Sequence, residues 1–448
     1  MTYFIFFSIT ILLLLSIIAF NSDLCAPAFL FTVGFWLSSF WLTFFNRQWY
    51  LTNGKLPLVL IGGITSFFLG CLIVQLFSQR KEKQIAYNTE KLYKVDISNS
   101  KILIFFCIEI LFFLMSYYCI YRNTGSSNLI TAMGLYYNAS KYGRLVYNSS
   151  IIKLIQYFNF GMMYFVEYII LSRIILKQKN KISIYILFVG TLFISLMQGT
   201  RTTLFMGVIS GLVMIFLLKG KANGWNSNIN LKIICKLIVF VIFLGVLLNA
   251  SLFFTGRSTG EYTIVQTISA YLGAPIKNLD SFLNDNLHNS SKVFGIATLA
   301  QTYEKIYKYT YNSAYEIPQL YTYRWIGNEG LGNVYTFFMP LYYDFGILGT
   351  WLMSFVLGGV CQKIYCKLKS SCKLNRYNTD IIIYSYIVEL VLQIIVLFSI
   401  LCSSSSSVLL LLYIFFLVSV FPNENFVDLG LYQYGWEQCA PAHSFGPA

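Results

Sequence analysis

The sequence predicts an all-α polytopic membrane protein with about eleven transmembrane helices and one large segment outside the bilayer. Three observations predict it. The chain is 57% hydrophobic, 18% aromatic and only 11% charged, where a soluble domain carries about a quarter charged residues. Apolar runs of membrane-spanning length recur along it. With no water to satisfy backbone groups, helices are the economical form for such runs, and the alternation of a membrane barrel is absent. Lysines and arginines gather in the short connections between the runs, as they do in loops that stay cytoplasmic.

In chain order the spans are expected near 3–20, 27–45, 56–77, 102–121, 151–175, 182–198, 203–218, 231–254, 346–365, 380–401 and 406–421, with a tolerance of several residues at each boundary. The first run, Phe4 to Phe20, has neither a basic leader nor a small-residue cleavage site. It reads as a retained helix, not a removable signal peptide. Arg80, Lys81, Lys83, Lys91, Lys94 and Lys101 follow the third span. Lys177, Lys179 and Lys181 follow the fifth, Lys219 and Lys221 the seventh, and Lys363, Lys367, Lys369, Lys373 and Arg376 the ninth. All fall on one side, assigned to the cytoplasm.

The opposite face then receives 122–150, the tight turn at Arg201 and the long segment 255–345, with the N-terminus outside and the C-terminus inside. The chain divides into helices 1–8 over 1–254, the loop 255–345, helices 9–11 over 346–421 and a tail, 422–448. From Gly435 onward that tail reads as a disordered end or a non-native remnant. Ser403 to Ser407 lie at a helix-to-helix turn, where small residues allow close approach. No repeat of 20–50 residues and no inverted pair of broken helices is visible.

A net charge of +14 would suggest a nucleic-acid partner in a soluble protein. Here it follows from the basic loops, and no nucleic acid is expected. Cys71, Cys107, Cys119 and Cys402 lie in apolar runs, as small hydrophobes do. Cys361, Cys366 and Cys372 match no zinc spacing. With His288 and His443 the only histidines, little remains for a histidine-based metal site. There is no Walker loop, dinucleotide glycine fingerprint, Asp-x-Asp pair or Gly-x-Ser-x-Gly elbow. A soluble nucleotide-sugar donor, a catalytic metal and any other cofactor are therefore not expected, and a substrate would arrive through the membrane.

The segment 255–345 is the one long stretch without a membrane-length apolar run. Its aromatic content argues against disorder, so it is expected to form a folded extramembrane layer. Arg201, in Gly199-Thr200-Arg201-Thr202, stands between two spans with almost no connection. Thr200 or Thr202 can cap the following helix, and an arginine beside a helix N-terminus makes a phosphate or pyrophosphate site. The alternative is an arginine that snorkels to lipid phosphates.

Arg257, flanked by Gly256 and Gly260, falls on the same face. Two forked donors there suit a membrane-tethered diphosphate, although Arg257 also fits a plain interfacial anchor. Tyr303, Tyr307, Tyr309, Tyr311, Tyr315, Tyr321, Tyr323 and Trp325 suit sugar rings, an aromatic belt or a small aromatic core.

The acids of the loop are Glu261, Asp280, Asp285, Glu304, Glu316, Glu329 and Asp344. Asp344, between Tyr343 and Phe345 at the start of the ninth span, is a candidate base, a partner for Arg201 or Arg257, or a helix N-terminal acid. Glu167 and Glu389 lie inside spans, where an ionisable group is a functional hypothesis by default. Gln393, one turn beyond Glu389, offers a plain polar contact instead.

The span pattern, Gly199-Thr200-Arg201-Thr202, Arg257 at the loop entrance, Asn333-Val334-Tyr335-Thr336 and Tyr343-Asp344-Phe345-Gly346-Ile347-Leu348-Gly349 together resemble the O-antigen polymerases of the Wzy type. The resemblance is loose over the whole chain and specific only in these short segments. It implies a GT-C-like glycosyltransferase architecture in a bacterial inner membrane. It also implies transfer of a growing glycan from undecaprenyl diphosphate to the next lipid-linked repeat unit on the periplasmic face, with a chain-length regulator and a flippase as partners beside membrane lipids.

On that resemblance Arg201 and Arg257 contact the diphosphate and Asp344 is base or arginine orienter. Thr200, Asn333, Tyr335, Thr336, Tyr343 and Trp325 line the substrate site. A ligase acting on the same lipid donor is the nearest rival, for which His288 is the available loop histidine. A flippase or transporter, favoured by Glu167 and Glu389, is the rival of another class.

Overall fold

The computed structural model describes residues 1–79, 97–141, 150–197, 202–222, 225, 264–291, 293–327, 329–370 and 379–396. Those residues are mostly helical. Helix α1 spans Thr2–Ala19, α2 Pro27–Phe44, α3 Leu56–Gln79, α4 Asn99–Thr124, α5 Leu129–Lys141, α6 Ser150–Ile175, α7 Ile182–Met197 and α8 Thr202–Ala222. After them come α9 (Ile264–Leu272), α10 (Ala274–Asn284), α11 (Ala300–Thr310), α12 (Phe338–Ser370) and α13 (Thr379–Val396). A two-stranded antiparallel hairpin, β1 (Arg324–Ile326) and β2 (Glu329–Gly332), precedes α12.

Among the described residues six helices, α1, α2, α3, α4, α6 and α12, are long and apolar enough to cross a membrane, and α7 is a shorter apolar helix. The chain is a multi-pass membrane protein. The expected spans 231–254 and 406–421 lie outside the described residues.

Two expectations change. The outer stretch 122–150 contains α5. Helix α12 begins at Phe338 and breaks at Gly346, which adopts φ 65 and ψ −163, so a short helical stretch precedes the span expected from residue 346. A side chain is strained in that conformation, so the glycine is what lets the chain turn from the layer into the span.

Lipid tails are as apolar as leucine, so helices in a bilayer associate through close packing rather than through hydrophobic exclusion. Helices α3 and α12 do this backbone to backbone and run parallel. A Cβ on Gly70 would stand 2.1 Å from the carbonyl oxygen of Phe355, and one on Gly358 would stand 2.2 Å from that of Phe67. Higher on the same seam Trp351 Nε1 donates to the Leu58 carbonyl at 2.9 Å.

The contacts also sort the connections between two ends of the bundle. At one end Asp23, between α1 and α2, accepts from Tyr365 Oη at 2.7 Å and Lys369 Nζ at 2.6 Å. Lys369 lies over the Trp225 ring at 5.3 Å. Helix α8 runs parallel to α6, because Met163 meets Gly207 and Glu167 meets Gly211. The end of α6 and Lys177–Lys181 therefore belong at that same end. At the opposite end α9 to α11 and the hairpin form a layer over the α2–α3 connection. Trp225 thus stands at one end and the layer, from Ile264 onward, at the other.

Candidate functional site

The layer is stitched to the bundle by buried polar groups. Asp280 is fully buried and accepts the backbone N–H groups of Thr52 at 3.0 Å and Asn53 at 2.8 Å. Lys277 Nζ, one turn earlier on α10, completes the set at 2.8 Å from Asp280. Trp49 Nε1 donates to Glu329 at 2.7 Å, tying the hairpin to the same connection. Trp41 Nε1 reaches Ser269 on α9 at 2.9 Å. A buried charge is tolerated only when paired and hydrogen-bonded, which is the condition Asp280 meets.

Asp344 plays a second fixing role. Its carboxylate accepts from the backbone N–H of Ala297 at 3.1 Å, from both N–H and hydroxyl of Thr298 at 2.6 Å, and from Asn289 Nδ2 at 3.3 Å. The Asn289 N–H donates in turn to the Tyr343 carbonyl at 2.9 Å. The rings of Phe294 and Phe345 meet at 4.9 Å beside this clamp. Both Asp344 oxygens are thereby engaged in holding Asn289, Ala297 and Thr298 on the start of α12.

Tyr335 and Thr336 stand in the core, each with 0% exposure, and so do not line an open surface. The Tyr335 hydroxyl donates to the Thr322 carbonyl at 2.9 Å and accepts from Arg324 Nε at 2.7 Å. Arg324 also holds Asp285 through its terminal nitrogen. Burial pushes the Arg324 guanidinium down, but its hydrogen bonds to Asp285 and Tyr335 outweigh this and leave it above its ordinary value. Asn278 Nδ2 braces the same turn by donating to the Val334 carbonyl at 2.7 Å.

Strand alternation turns Arg324 one way and its neighbours the other. Tyr323 and Trp325 are exposed, with rings 5.0 Å apart. Asn333 is exposed at the end of the hairpin, and Tyr343 is half-buried. Tyr303 and Tyr315 stack at 5.8 Å, and Tyr309 and Tyr311 are exposed. Between the Asp344 clamp and the Tyr335 node lies a hollow of about 130 Å³, lined by Ala297, Ala300, Glu304, Ile317, Pro318, Leu320 and Tyr321. It has room for one substituent or part of a ring, since an apolar cavity of about 150 Å³ holds benzene.

Of the residues expected in a site, Asp344, Tyr343, Asn333, Tyr335, Thr336 and Trp325 lie in this layer. Thr200, Arg201 and Arg257 lie outside the described residues, as do the side chains of Glu389 and Gln393. His288 is exposed, with Nδ1 3.3 Å from the Asn286 carbonyl oxygen. Arg324 and Lys277 were not anticipated. Gly327-Asn328 between two short runs is a hairpin-turn signal, and it would have placed Arg324 on the face opposite Trp325. Among the described residues no group of three or more metal-ligating side chains occurs.

Comparison with family models, with curated proteins and with solved structures finds no match.

Proposed function

We propose that the protein is a polymerase of lipid-linked oligosaccharide repeat units. It transfers the growing glycan from undecaprenyl diphosphate to the next lipid-linked unit on the outer face of the bacterial inner membrane, and about eleven spans carry the site. The observation that supports this best is the separation of the two ends. The lysine-bearing connections around Lys179 and Lys369 stand at one end of the bundle. The aromatic layer with Trp325 stands at the other, the periplasmic one under the charge rule.

In this reading Arg201 and Arg257 stabilise the departing diphosphate without a metal. Asp344 sets the geometry of the layer, and Tyr323, Trp325 and Asn333 hold the glycan in register, since much of such a reaction is positioning. A flippase or transporter is the second reading, favoured by Glu167 inside the bundle, where it accepts from Ser210 at 2.6 Å.

The test is the polymer ladder of a deletion strain complemented with Arg201→Ala or Arg257→Ala. Loss of long polymer, with single capped units retained, supports the polymerase. Wild-type ladders from both variants at normal expression reject the assignment. Failure of lipid-linked units to reach the periplasm in the deletion strain would favour the flippase.

A further inference from the structure

Away from the layer, α4 buries a carboxyl group that the proposed reaction does not use. Glu109 is 7% exposed, and its Oε1 has no hydrogen-bond partner. It presses on the backbone of α7, where a Cβ on Gly190 would stand 1.8 Å from that oxygen. Glu109 lies ten residues from the start of α4 and Gly190 eight from the start of α7. At about 1.5 Å rise per residue both stand about 12–15 Å deep, near the middle of a hydrocarbon layer about 30 Å thick.

The same stretch of α7 holds a side chain with a second unsatisfied oxygen. Asn159 of α6 is 1% exposed, and its Nδ2 donates to the Thr191 carbonyl at 2.9 Å and to Ser195 Oγ at 2.8 Å. Those two acceptors fix the amide orientation, so Oδ1 is the atom left without a donor. The flanking residues Ile108 of α4 and Phe158 of α6 pack into one apolar cluster with Ile194 of α7.

The two buried acceptor oxygens, one against Gly190 and one on the side chain that Thr191 and Ser195 hold, share a single deficit, a proton to donate. An ionised Glu109 would leave both unsatisfied and add an uncompensated charge in hydrocarbon. Described cations on the packed helices lie elsewhere. Lys101 and Arg122 stand near the two ends of α4, Arg173 of α6 donates to the Lys179 carbonyl, and α7 has no charged residue. Glu167 of α6 turns to Ser210 on α8. Cys119 of α4 and Tyr136 of α5 face one another at 3.9 Å, and Tyr117, Tyr118 and Tyr121 lie on the last turns of α4.

We propose that Glu109 is a proton-binding site inside the membrane: its carboxyl is neutral, and its O–H serves the Asn159 Oδ1 directly or through one water. Proton loss then sets an anion against the α7 backbone, so the packing of α4, α6 and α7 is proton-dependent.

Infrared difference spectroscopy of the full-length protein in lipid nanodiscs tests this. Wild type at neutral pH is expected to show a carboxylic-acid carbonyl band that Glu109→Gln loses and Glu167→Gln does not abolish. The Gln amide supplies a permanent donor, so Glu109→Gln should stay folded. If it does not fold, Asn159→Leu decides, because removing the acceptor shifts the frequency of a band that belongs to Glu109. A wild-type spectrum without the band, or a band that neither substitution removes or shifts, overturns the proposal.

Discussion

Asp344 accepts both the backbone N–H and the side-chain hydroxyl of Thr298 at 2.6 Å, so the part of α12 before the break at Gly346 and the loop before α11 form one unit. Asp344→Ala leaves the N–H groups of Ala297 and Thr298 without their acceptor. A buried donor left without its acceptor costs about 1–3 kcal/mol, and at the half-buried Asp344 water replaces part of the lost set. Asp344→Ala is therefore expected to lower stability by about 2–3 kcal/mol and to speed amide exchange at Ala297 and Thr298. Unchanged exchange at both amides would mean that the clamp does not hold them in solution.

That the chain is built largely of long apolar helices was legible in the sequence, because membrane-length apolar runs have one economical form. Their ends were less so. The start of α12 at Phe338 was hidden because Tyr342, Tyr343 and Asp344 read as interface rather than span, and the Gly346 break is a backbone state that hydropathy does not encode. In the layer, the contacts of Asp344 were not legible. These hydrogen bonds come from Asn289, Ala297 and Thr298, about fifty residues away. The family resemblance places Tyr335 in the substrate site, yet it sits beneath Arg324 as a core hydroxyl. Only the hairpin pairing reveals that.

Asp280 is the stronger anchor of the layer. Removing one partner of a buried pair is costly, about 3–5 kcal/mol, because the other charge is left uncompensated. Asp280→Ala is expected to fall in that range. It strands the Lys277 ammonium and the N–H groups of Thr52 and Asn53. Thermal denaturation in detergent should show the loss. A double variant, Lys277→Met with Asp280→Leu, should recover part of it, and a double variant no better than Asp280→Ala would show that the ion pair is not the source of the cost.

Trp325 separates stability from function. Its ring is 59% exposed and packs on Tyr323, and surface substitutions usually change stability by less than about 0.5 kcal/mol. Trp325→Ala is expected to leave the melting temperature near that of wild type. Each stacked ring contributes about 0.5–1.5 kcal/mol, a factor of several in glycan affinity. Polymer from the variant should shift to shorter chains at equal expression. Unaltered chain lengths would remove the aromatic pair from the glycan path.

The two ends of the bundle give the last prediction. Asn286 lies in the layer near Lys55, whose Nζ stands 3.5 Å from its side-chain oxygen, whereas Lys369 reaches Asp23 at the opposite end. A cysteine at Asn286 and a cysteine at Lys363, each in a background free of the ten native cysteines, should therefore label from opposite faces with a membrane-impermeant maleimide. Asn286→Cys is expected to react in intact spheroplasts, and Lys363→Cys only after the membrane is opened. The opposite pattern would keep the fold but turn the layer toward the cytoplasm, where no periplasmic polymerase site can be. Labelling of both from one side would contradict the arrangement of α3 and α12 itself.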